Sequence, residues 1–451
     1  MSINPADSQI FGTLYGTDEI RAVFSDHAHL QFMLDVEAAL ARAESQLGLV
    51  PAPVADAIAR AARVENLRFD YIADSTRRVG YPVVALVKEL SRIAGDEAAR
   101  YIHLGATSQD ILDTALVLQL RAAFAIVRRD LIAIARALAE RAAKFRDTPI
   151  AGRTHLQHAV PTTFGLKCAG WASPLVTHVE RLDQAASRIL VVQFGGAAGT
   201  LAALGANGAA VVEALAHELG LGVSELPWHA QRDGFAEAAA LFGSICGSLS
   251  KFALDVSLMM QTEVGEISEP HSDGRGGSST MPQKRNPIAS EYILAATRTV
   301  HALVPVMLGA MVADHERATG PWQSESLALP QCVALTAGAL AHARSIAEGM
   351  TIDTERMRRN IDLTGGLIMA EAIATALIPS IGRAAAEAML ARACDRSITE
   401  HVPLSTIIRT DPELRPHLND AEVDRLIDPA SYLGSAGTFV DRLVARVAAL
   451  G

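Results

Sequence analysis

The sequence predicts an all-α protein with several unusually long helices. Half of its 451 residues are hydrophobic but only 5% are aromatic, and the abundant Ala, Leu, Arg and Glu all favour helices. Residues 114–146 contain neither glycine nor proline, which predicts one helix of roughly 50 Å. No alternation of strands with helices, as in a parallel sheet, is visible.

Further helices are predicted in order along the chain by apolar residues at helical spacing. They cover residues 20–47, 161–189, 235–267, 287–314 and 327–350, the last with Pro330 in its first turn. Shorter helices separated by prolines follow. We therefore expect three helical domains, at residues 1–112, 113–350 and 351–451, with a long-helix bundle in the middle one. The apolar faces of such long helices need partners, so we expect the bundles to oligomerise.

The net charge and the cysteines limit the class of protein. A charge of −10 argues against a nucleic-acid surface. The four cysteines are far apart and form no Cys-x-x-Cys pair, which is typical of buried thiols in a reduced, cytoplasmic protein.

One uncharged segment, residues 189–212, is long enough to span a bilayer. It contains five glycines together with Gln193 and Asn207. This composition indicates a tightly turning buried segment, so we expect no membrane span there and no membrane partner.

Residues 274–287 are the strongest candidate for a functional site. Early glycines allow backbone N–H groups to turn inward, and the run Gly-Ser-Ser-Thr-Met-Pro-Gln-Lys-Arg-Asn-Pro adds hydroxyls and the charges of Lys284 and Arg285. Asn286 and Pro287 fit the N-cap and first residue of a helix. A glycine-rich loop that enters a helix is a good anion site, while the spacing excludes a nucleotide P-loop.

A second candidate segment, residues 152–161, contains His155 and His158 beside Arg, Thr and Gln. Three residues apart, the two histidines would share one face of a helix. A zinc site normally needs a third protein ligand, and no cysteine is nearby. Histidine is also the side chain best suited to carry protons near neutral pH, so proton transfer is the favoured interpretation.

A third segment, residues 103–110, precedes the longest predicted helix. Thr107 and Ser108 offer hydroxyls suited to a carboxylate. Asp110 fits a capping role at the start of the helix, and that role alone would explain its presence.

Together the three segments resemble, in the same chain order, the signature regions of the fumarase/aspartase superfamily. The eleven positions 277–287 are the most specific match, and the likeness also includes residues 231–233 and 314–317. Within the superfamily, the chain resembles most the branch of adenylosuccinate lyases and 3-carboxy-cis,cis-muconate cycloisomerases. Residues 194–199, 227–229 and 432–434 are similar to the cycloisomerases.

The resemblance implies a homotetramer whose core packs about twenty helices, with each active site drawing one signature region from each of three subunits. Ser278 matches the loop serine that takes a proton from the carbon next to a carboxylate. Lys284 and Asn286 match residues that hold the carboxylate and stabilise its aci-carboxylate intermediate. His155 matches the general acid for the leaving group.

The resemblance also implies a small polycarboxylate substrate, no cofactor and no metal. The residues expected to bind substrate are His103, Thr107, Ser108, Thr154, Gln231, Ser279, Met281 and Arg317.

Two positions depart from the family pattern and keep the choice of substrate open. Adenylosuccinate lyases usually carry histidine where this chain has Gln283, and bacterial cycloisomerases often carry tryptophan where it has His155. We expect a cycloisomerase-like enzyme, with adenylosuccinate lyase or another fumarate-releasing lyase as the alternative.

Two further alternatives for the function belong to other classes of protein. The first is a non-catalytic structural protein on the same scaffold, which would tolerate loss of the loop residues, yet none is lost here. The second is a metal-dependent bundle enzyme built on the two histidines of residues 152–161 and on Glu263, Glu266 and Glu269, which could equally be a solvated helix face.

Overall fold

The structure is a computed structural model that describes residues 4–271, 276–277, 280–281 and 283–450. Within these residues the all-α prediction is confirmed, with two small two-stranded sheets added. The α-helices are α1 Gly12–Tyr15, α2 Asp18–Val23, α3 Asp26–Gln46, α4 Ala52–Ala61, α5 Phe69–Val79, α6 Val83–Ala94, α7 Ser108–Lys144, α8 Phe164–Ile189, α9 Gly208–Leu219, α10 Asp233–Met259, α11 Ile288–Ala310, α12 Pro321–Gly349, α13 Thr354–Asp362, α14 Ala370–Ile381, α15 Arg383–Glu400, α16 Leu404–Thr410, α17 Asp420–Ile427 and α18 Ala436–Ala448. The strands are β1 Pro149–Thr154, β2 Gln157–Thr163, β3 Ile267–Ser268 and β4 Thr351–Ile352, paired antiparallel as β1–β2 and β3–β4.

Five helices of 23 to 37 residues, α7, α8, α10, α11 and α12, form the long-helix set that the sequence predicts. The expected end of the third at residue 267 is wrong, because α10 stops at Met259 and Ile267 pairs with Ile352 in the β3–β4 sheet. Pro330 lies inside α12 and not in its first turn. The helix begins instead at Pro321. Proline is tolerated at this position because an N–H group in the first turn has no acceptor within the helix.

The predicted helix at residues 20–47 is two helices. α2 ends at Val23, and the Ser25 side chain accepts a hydrogen bond from the N–H of Ala28 at the start of α3. Such an N-cap satisfies a donor that has no partner within the helix, which explains why a new helix begins there.

The chain divides into two compact units. The first unit comprises Met1–Asp130, His178–Leu249 and Tyr292–Ala341, and the second unit comprises Leu131–Thr177, Ser250–Glu291 and His342–Gly451. One core of the first unit packs α3 to α6 around residues such as Met33 and Leu86, and another joins α3 to α9. The second unit has its own core from α14 to α17. The predicted boundaries after residues 112 and 350 stay predictions.

The uncharged residues 189–212 do not form one continuous helix. α8 ends at Ile189, a short 3-10 helix covers Ala202–Asn207, and α9 begins at Gly208. Gly196 has a φ of 67°, and an added Cβ would lie 2.8 Å from the carbonyl oxygen of Gly105. The glycine is required by this close approach of two chain segments.

In the described part of the chain, three helices are long and apolar enough to cross a membrane by length and composition alone: α10, α11 and α12. The most apolar stretches of α10 and α12 are 56% and 61% buried within the fold, but that of α11 is only 33% buried. Val306 and Leu308 on α11 and Val312 just after it are exposed. Exposed apolar area of this kind is unfavourable in water.

Candidate active site

His155 lies at the tip of the β1–β2 hairpin, where Thr154 pairs with Gln157. The prediction that His155 and His158 share a helix face is therefore wrong. His155 and Leu156 form the two-residue turn with φ of 51° and 64°, a conformation that usually selects Asn-Gly and costs a larger residue about 1 kcal/mol. Both residues are exposed, Leu156 to 78%. Strain retained at an exposed tip is typical of a functional position.

An ion pair with a buried carboxylate holds this hairpin close to its tip. Arg153 donates two hydrogen bonds to the Glu266 carboxylate, at 2.9 and 2.6 Å, and Asn360 donates a third at 2.8 Å. His158 faces Arg153 across the strands. Burial and the charge of Arg153 lower the pKa of His158, so this histidine is neutral at neutral pH.

The three glutamates at 263, 266 and 269 do not form one helix face, because α10 ends before them. Glu266 is occupied by Arg153 and Asn360. Among the residues that the structure describes, no group of three or more His, Cys, Asp or Glu side chains is arranged to hold a metal ion.

Glu269 caps the start of α11. Its carboxylate accepts hydrogen bonds from the backbone N–H groups of Ala289 and Ser290, at 3.0 and 2.8 Å, and from the Ser290 hydroxyl at 2.7 Å. The sequence assigns the cap to Asn286, which is wrong because the helix begins at Ile288. These N–H groups are already bound, so they are not available to a substrate anion.

The described parts of the loop at 274–287 are held together at its base. The Asn286 N–H donates to the Gly276 carbonyl at 3.0 Å, and Gly277 forms a β-bridge with Arg285. Lys284 is exposed, Met281 is 43% exposed, and the Lys284 N–H donates to the Met281 carbonyl.

Two predicted site residues, Ser278 and Ser279, lie outside the described residues. Their roles stay predictions.

Asp110 organises the site residues of the first unit. Its carboxylate is buried and accepts five hydrogen bonds. The donors are the backbone N–H groups of Thr107, Gly195 and Gly196 and the side chains of Gln193 and His229, at distances of 2.6–3.3 Å. The predicted capping role is confirmed by the Thr107 contact. The same carboxylate also binds the glycine-rich segment 194–199, which the sequence analysis did not foresee.

Arg317 contacts this glycine-rich segment as well. One guanidinium nitrogen donates to the carbonyl of Ala197 at 3.2 Å, while its Nε is buried and has no hydrogen-bond partner. Thr107 and Arg317 thus both reach the segment at 194–199, Thr107 through Asp110.

Beside exposed Gln231 lies a network that the sequence analysis missed. Arg232 is fully buried and binds Asp113 at 2.6 and 3.0 Å and Glu325 at 2.9 Å. Burial alone would lower the pKa of Arg232, and the two carboxylates more than reverse this, so its pKa is raised. Its neighbours are distant in the sequence, and no local pattern identifies them.

The two units divide the predicted site residues between them. The first unit contains His103, Thr107, Ser108, Gln231 and Arg317. The second unit contains Thr154, His155, Met281, Lys284 and Asn286.

Known proteins resemble this chain over its full length. A family model described as lyase matches residues 14–301, and one for the adenylosuccinate lyase C-terminus matches residues 366–443. A 3-carboxy-cis,cis-muconate cycloisomerase of Pseudomonas aeruginosa is 48% identical, with 100% of this chain and 99% of that protein covered. A nitrosuccinate lyase of Streptomyces davaonensis is 43% identical, with 97% and 94% covered.

Solved structures agree with these matches. The crystal structure of a 3-carboxy-cis,cis-muconate lactonizing enzyme from Pseudomonas putida has a TM-score of 0.92 at 44% identity, covering 98% of this chain and 99% of that one. The chain therefore belongs to the lyase family of the fumarase/aspartase superfamily, whose signature segments it carries.

Proposed function

We propose that this protein is a 3-carboxy-cis,cis-muconate cycloisomerase-like enzyme, which makes or breaks a C–O bond at the carbon next to a carboxylate. The observation that carries the proposal is the match to a cycloisomerase at 48% identity over the whole chain. The substrate would be a small polycarboxylate, and we expect no cofactor.

The proposed chemistry begins with a C–H bond beside a carboxylate, which is only weakly acidic. Ser278 takes the proton, and the electron pair moves onto the carboxylate to form an aci-carboxylate. Serine is a poor base unless its alkoxide is stabilised by nearby positive charge. Lys284 supplies that charge, and together with Asn286 it binds the carboxylate where negative charge develops. The N–H groups at the start of α11 bind Glu269 and are not available to the substrate. Lys284 therefore supplies more of the stabilisation of the aci-carboxylate charge than the sequence suggests.

In the elimination direction the C–O bond then breaks, and His155 gives a proton to the departing oxygen. His155 lies at an exposed, strained hairpin tip, which supports its role as a proton donor to a substrate that other segments bind. Thr107, Ser108 and Arg317 would bind the remaining carboxylates. In the addition direction each proton returns by the same route.

We also propose that the enzyme is a cytoplasmic homotetramer with active sites shared between subunits. The exposed apolar residues on α11, such as Leu308, support burial of this helix against other copies of the chain. All four cysteines are free thiols, which fits a reduced compartment.

A fumarate-releasing lyase is the second candidate, favoured by the presence of His155, which can protonate a departing nitrogen or oxygen. A nitrosuccinate lyase at 43% identity supports keeping it. Purified protein should be offered 3-carboxy-cis,cis-muconate, adenylosuccinate and other substituted succinates while ultraviolet absorbance is followed. We expect turnover of the muconate. Turnover of a succinate alone would select the lyase, and no change with any substrate would contradict both.

The role of Ser278 is tested by Ser278→Ala. We expect kcat to fall by about 10²-fold or more with KM largely retained, because a proton-transfer group is lost and carboxylate binding is not. Ser244→Ala, at an exposed serine of α10 whose hydroxyl bonds its own helix, is the matched control. Wild-type turnover by Ser278→Ala would remove Ser278 from the base role.

A further inference from the structure

Helix α3 carries two glutamates on its buried face. The buried residues of this face follow one another at intervals of three and four, the spacing of a single helix face; they are Leu30, Met33, Glu37, Leu40 and Glu44. Glu37 is 2% exposed and Glu44 is 0% exposed. Glutamate is almost never buried this fully unless it is paired or protonated, so each of the two requires an explanation.

Glu37 has one hydrogen-bond partner. The Nδ1 of His103 donates to its Oε1 at 2.6 Å, while its Oε2 is buried and unpartnered. A positively charged histidine compensates a buried carboxylate better than a neutral one does. Burial alone would lower the pKa of His103, but the charges of Glu37 and Asp110 outweigh burial and raise it.

Glu44 lies one heptad further along α3, and neither of its carboxyl oxygens has a hydrogen-bond partner. Burial, together with the charge of Glu37, raises the pKa of Glu44 to about 8. Glu44 is therefore neutral at pH 7.

The backbone of His103 adds a second observation. Its φ is 64°, in the left-handed region that glycine or asparagine occupies at lower cost. The side chain is 21% exposed although its partner Glu37 is only 1% exposed. A histidine kept in a strained conformation, with one ring nitrogen bound below and part of the ring at the surface, is typical of a functional group.

We propose that Glu37 is a positioning residue that binds His103 through Nδ1 and holds it as a cation, so that Nε2–H is presented to a carboxylate of the substrate. This proposal rests on the proposed function, because the proposed substrate supplies the carboxylate that His103 binds. His103 then acts as a fixed, charge-assisted donor, and Glu37 acts through it without touching the substrate.

A double-mutant cycle separates this role from a structural one. We expect Glu37→Gln to lower kcat/KM for the best substrate by about tenfold or more when His103 is present, and by less than about twofold in a His103→Gln background. Glu44→Gln is the matched control, because it changes another buried carboxyl on the same helix face and should leave kcat/KM unchanged at pH 7. Equal losses from Glu37→Gln in both backgrounds would overturn the proposal.

A second measurement does not depend on activity. Deuterium exchange at the imidazole Cε1–H follows the protonation of a histidine, and the tryptic peptide of residues 101–121 contains only His103. We expect Glu37→Gln to move the midpoint of its exchange to lower pH, Glu37→Asp to move it less, and Glu44→Gln to leave it in place. The ionisable groups that act on His103 are Glu37 and Asp110.

An unchanged midpoint in folded Glu37→Gln protein would overturn the proposal even if the enzyme is active. If Glu37→Gln does not fold, Glu37→Asp, which keeps the charge but shortens the side chain, tests the proposal by its smaller shift of the midpoint to lower pH, and an unchanged midpoint in that variant would overturn it. If the wild type turns over none of the substrates, the proposed function fails, while the exchange midpoint still reports whether Glu37 controls the charge of His103.

Discussion

At the scale of single residues, the protein stabilises buried carboxyls in two different ways. Asp110 accepts five hydrogen bonds, so its charge is compensated by N–H groups from several segments. Glu44 accepts none, and it is compatible with the core only because it holds a proton. Neutral Glu44 makes the free energy of unfolding depend on pH between about 4.5 and 8.

The stability of the protein should therefore depend on Glu44 over a defined range of pH. The folded-state pKa of about 8 lies above the ordinary value of 4.5, so the folded state keeps a proton that the unfolded state has lost between these values. The stabilisation is complete below about pH 4.5 and is lost as pH rises to about 8, at about 1.4 kcal/mol per pH unit. Glu44→Gln should remove this slope.

Urea denaturation near pH 5.5 and near pH 8 measures this effect. We expect the wild type to be clearly less stable at the higher pH, and Glu44→Gln to exceed the wild type there. Parallel pH dependences for the two proteins would show that Glu44 is already ionised in the folded state.

The burial of Glu37 and Glu44 could be predicted from the sequence, but their partners could not. Glu37 and Glu44 share the helical phase of Met33 and Leu40, so their burial follows from the predicted amphipathic helix. Their different partners do not follow, because His103 is 66 residues from Glu37 along the chain and only the fold brings it near.

At the scale of elements, the loop at 274–287 is anchored by Glu269. This residue precedes the loop, and its carboxylate binds the start of α11, the helix that follows the loop. Glu269→Ala would leave three buried donors without a partner. We expect a loss of about 1–2 kcal/mol in the free energy of unfolding, faster tryptic cleavage after Lys284 and Arg285, and lower activity. Glu263→Ala, at an exposed carboxylate of the same segment, is the control. Equal cleavage rates in the two variants would contradict the anchoring role.

The elements also show why sequence patterns succeeded in some places and failed in others. The core of α7 was predictable because a glycine-free and proline-free run of good helix formers has no competing conformation. The β1–β2 hairpin was not, because His155 and Leu156 occupy turn positions that normally carry asparagine and glycine. Its conformation depends on contacts such as Arg153 with Glu266, which are distant in the sequence.

At the scale of the whole molecule, the predicted site residues occur in both compact units, and the family resemblance predicts that each active site combines segments from three subunits. His155 sits on an exposed hairpin tip, and α11 leaves much of its most apolar stretch uncovered. Both features support the proposed tetramer, in which neighbouring subunits would cover them.

Mixed oligomers test this arrangement directly. Ser278→Ala and His155→Gln should each be nearly inactive, but their co-expression with different tags should restore about one quarter of the wild-type activity. The reason is that in a random tetramer about half of the subunits supply an intact Ser278 and about half an intact His155, and a shared site can take one from each. If both residues came from the same chain, no site would be intact and no activity would return. Ser278→Ala with Lys284→Gln is the matched control, because both changes lie in one loop and every site would receive one of them.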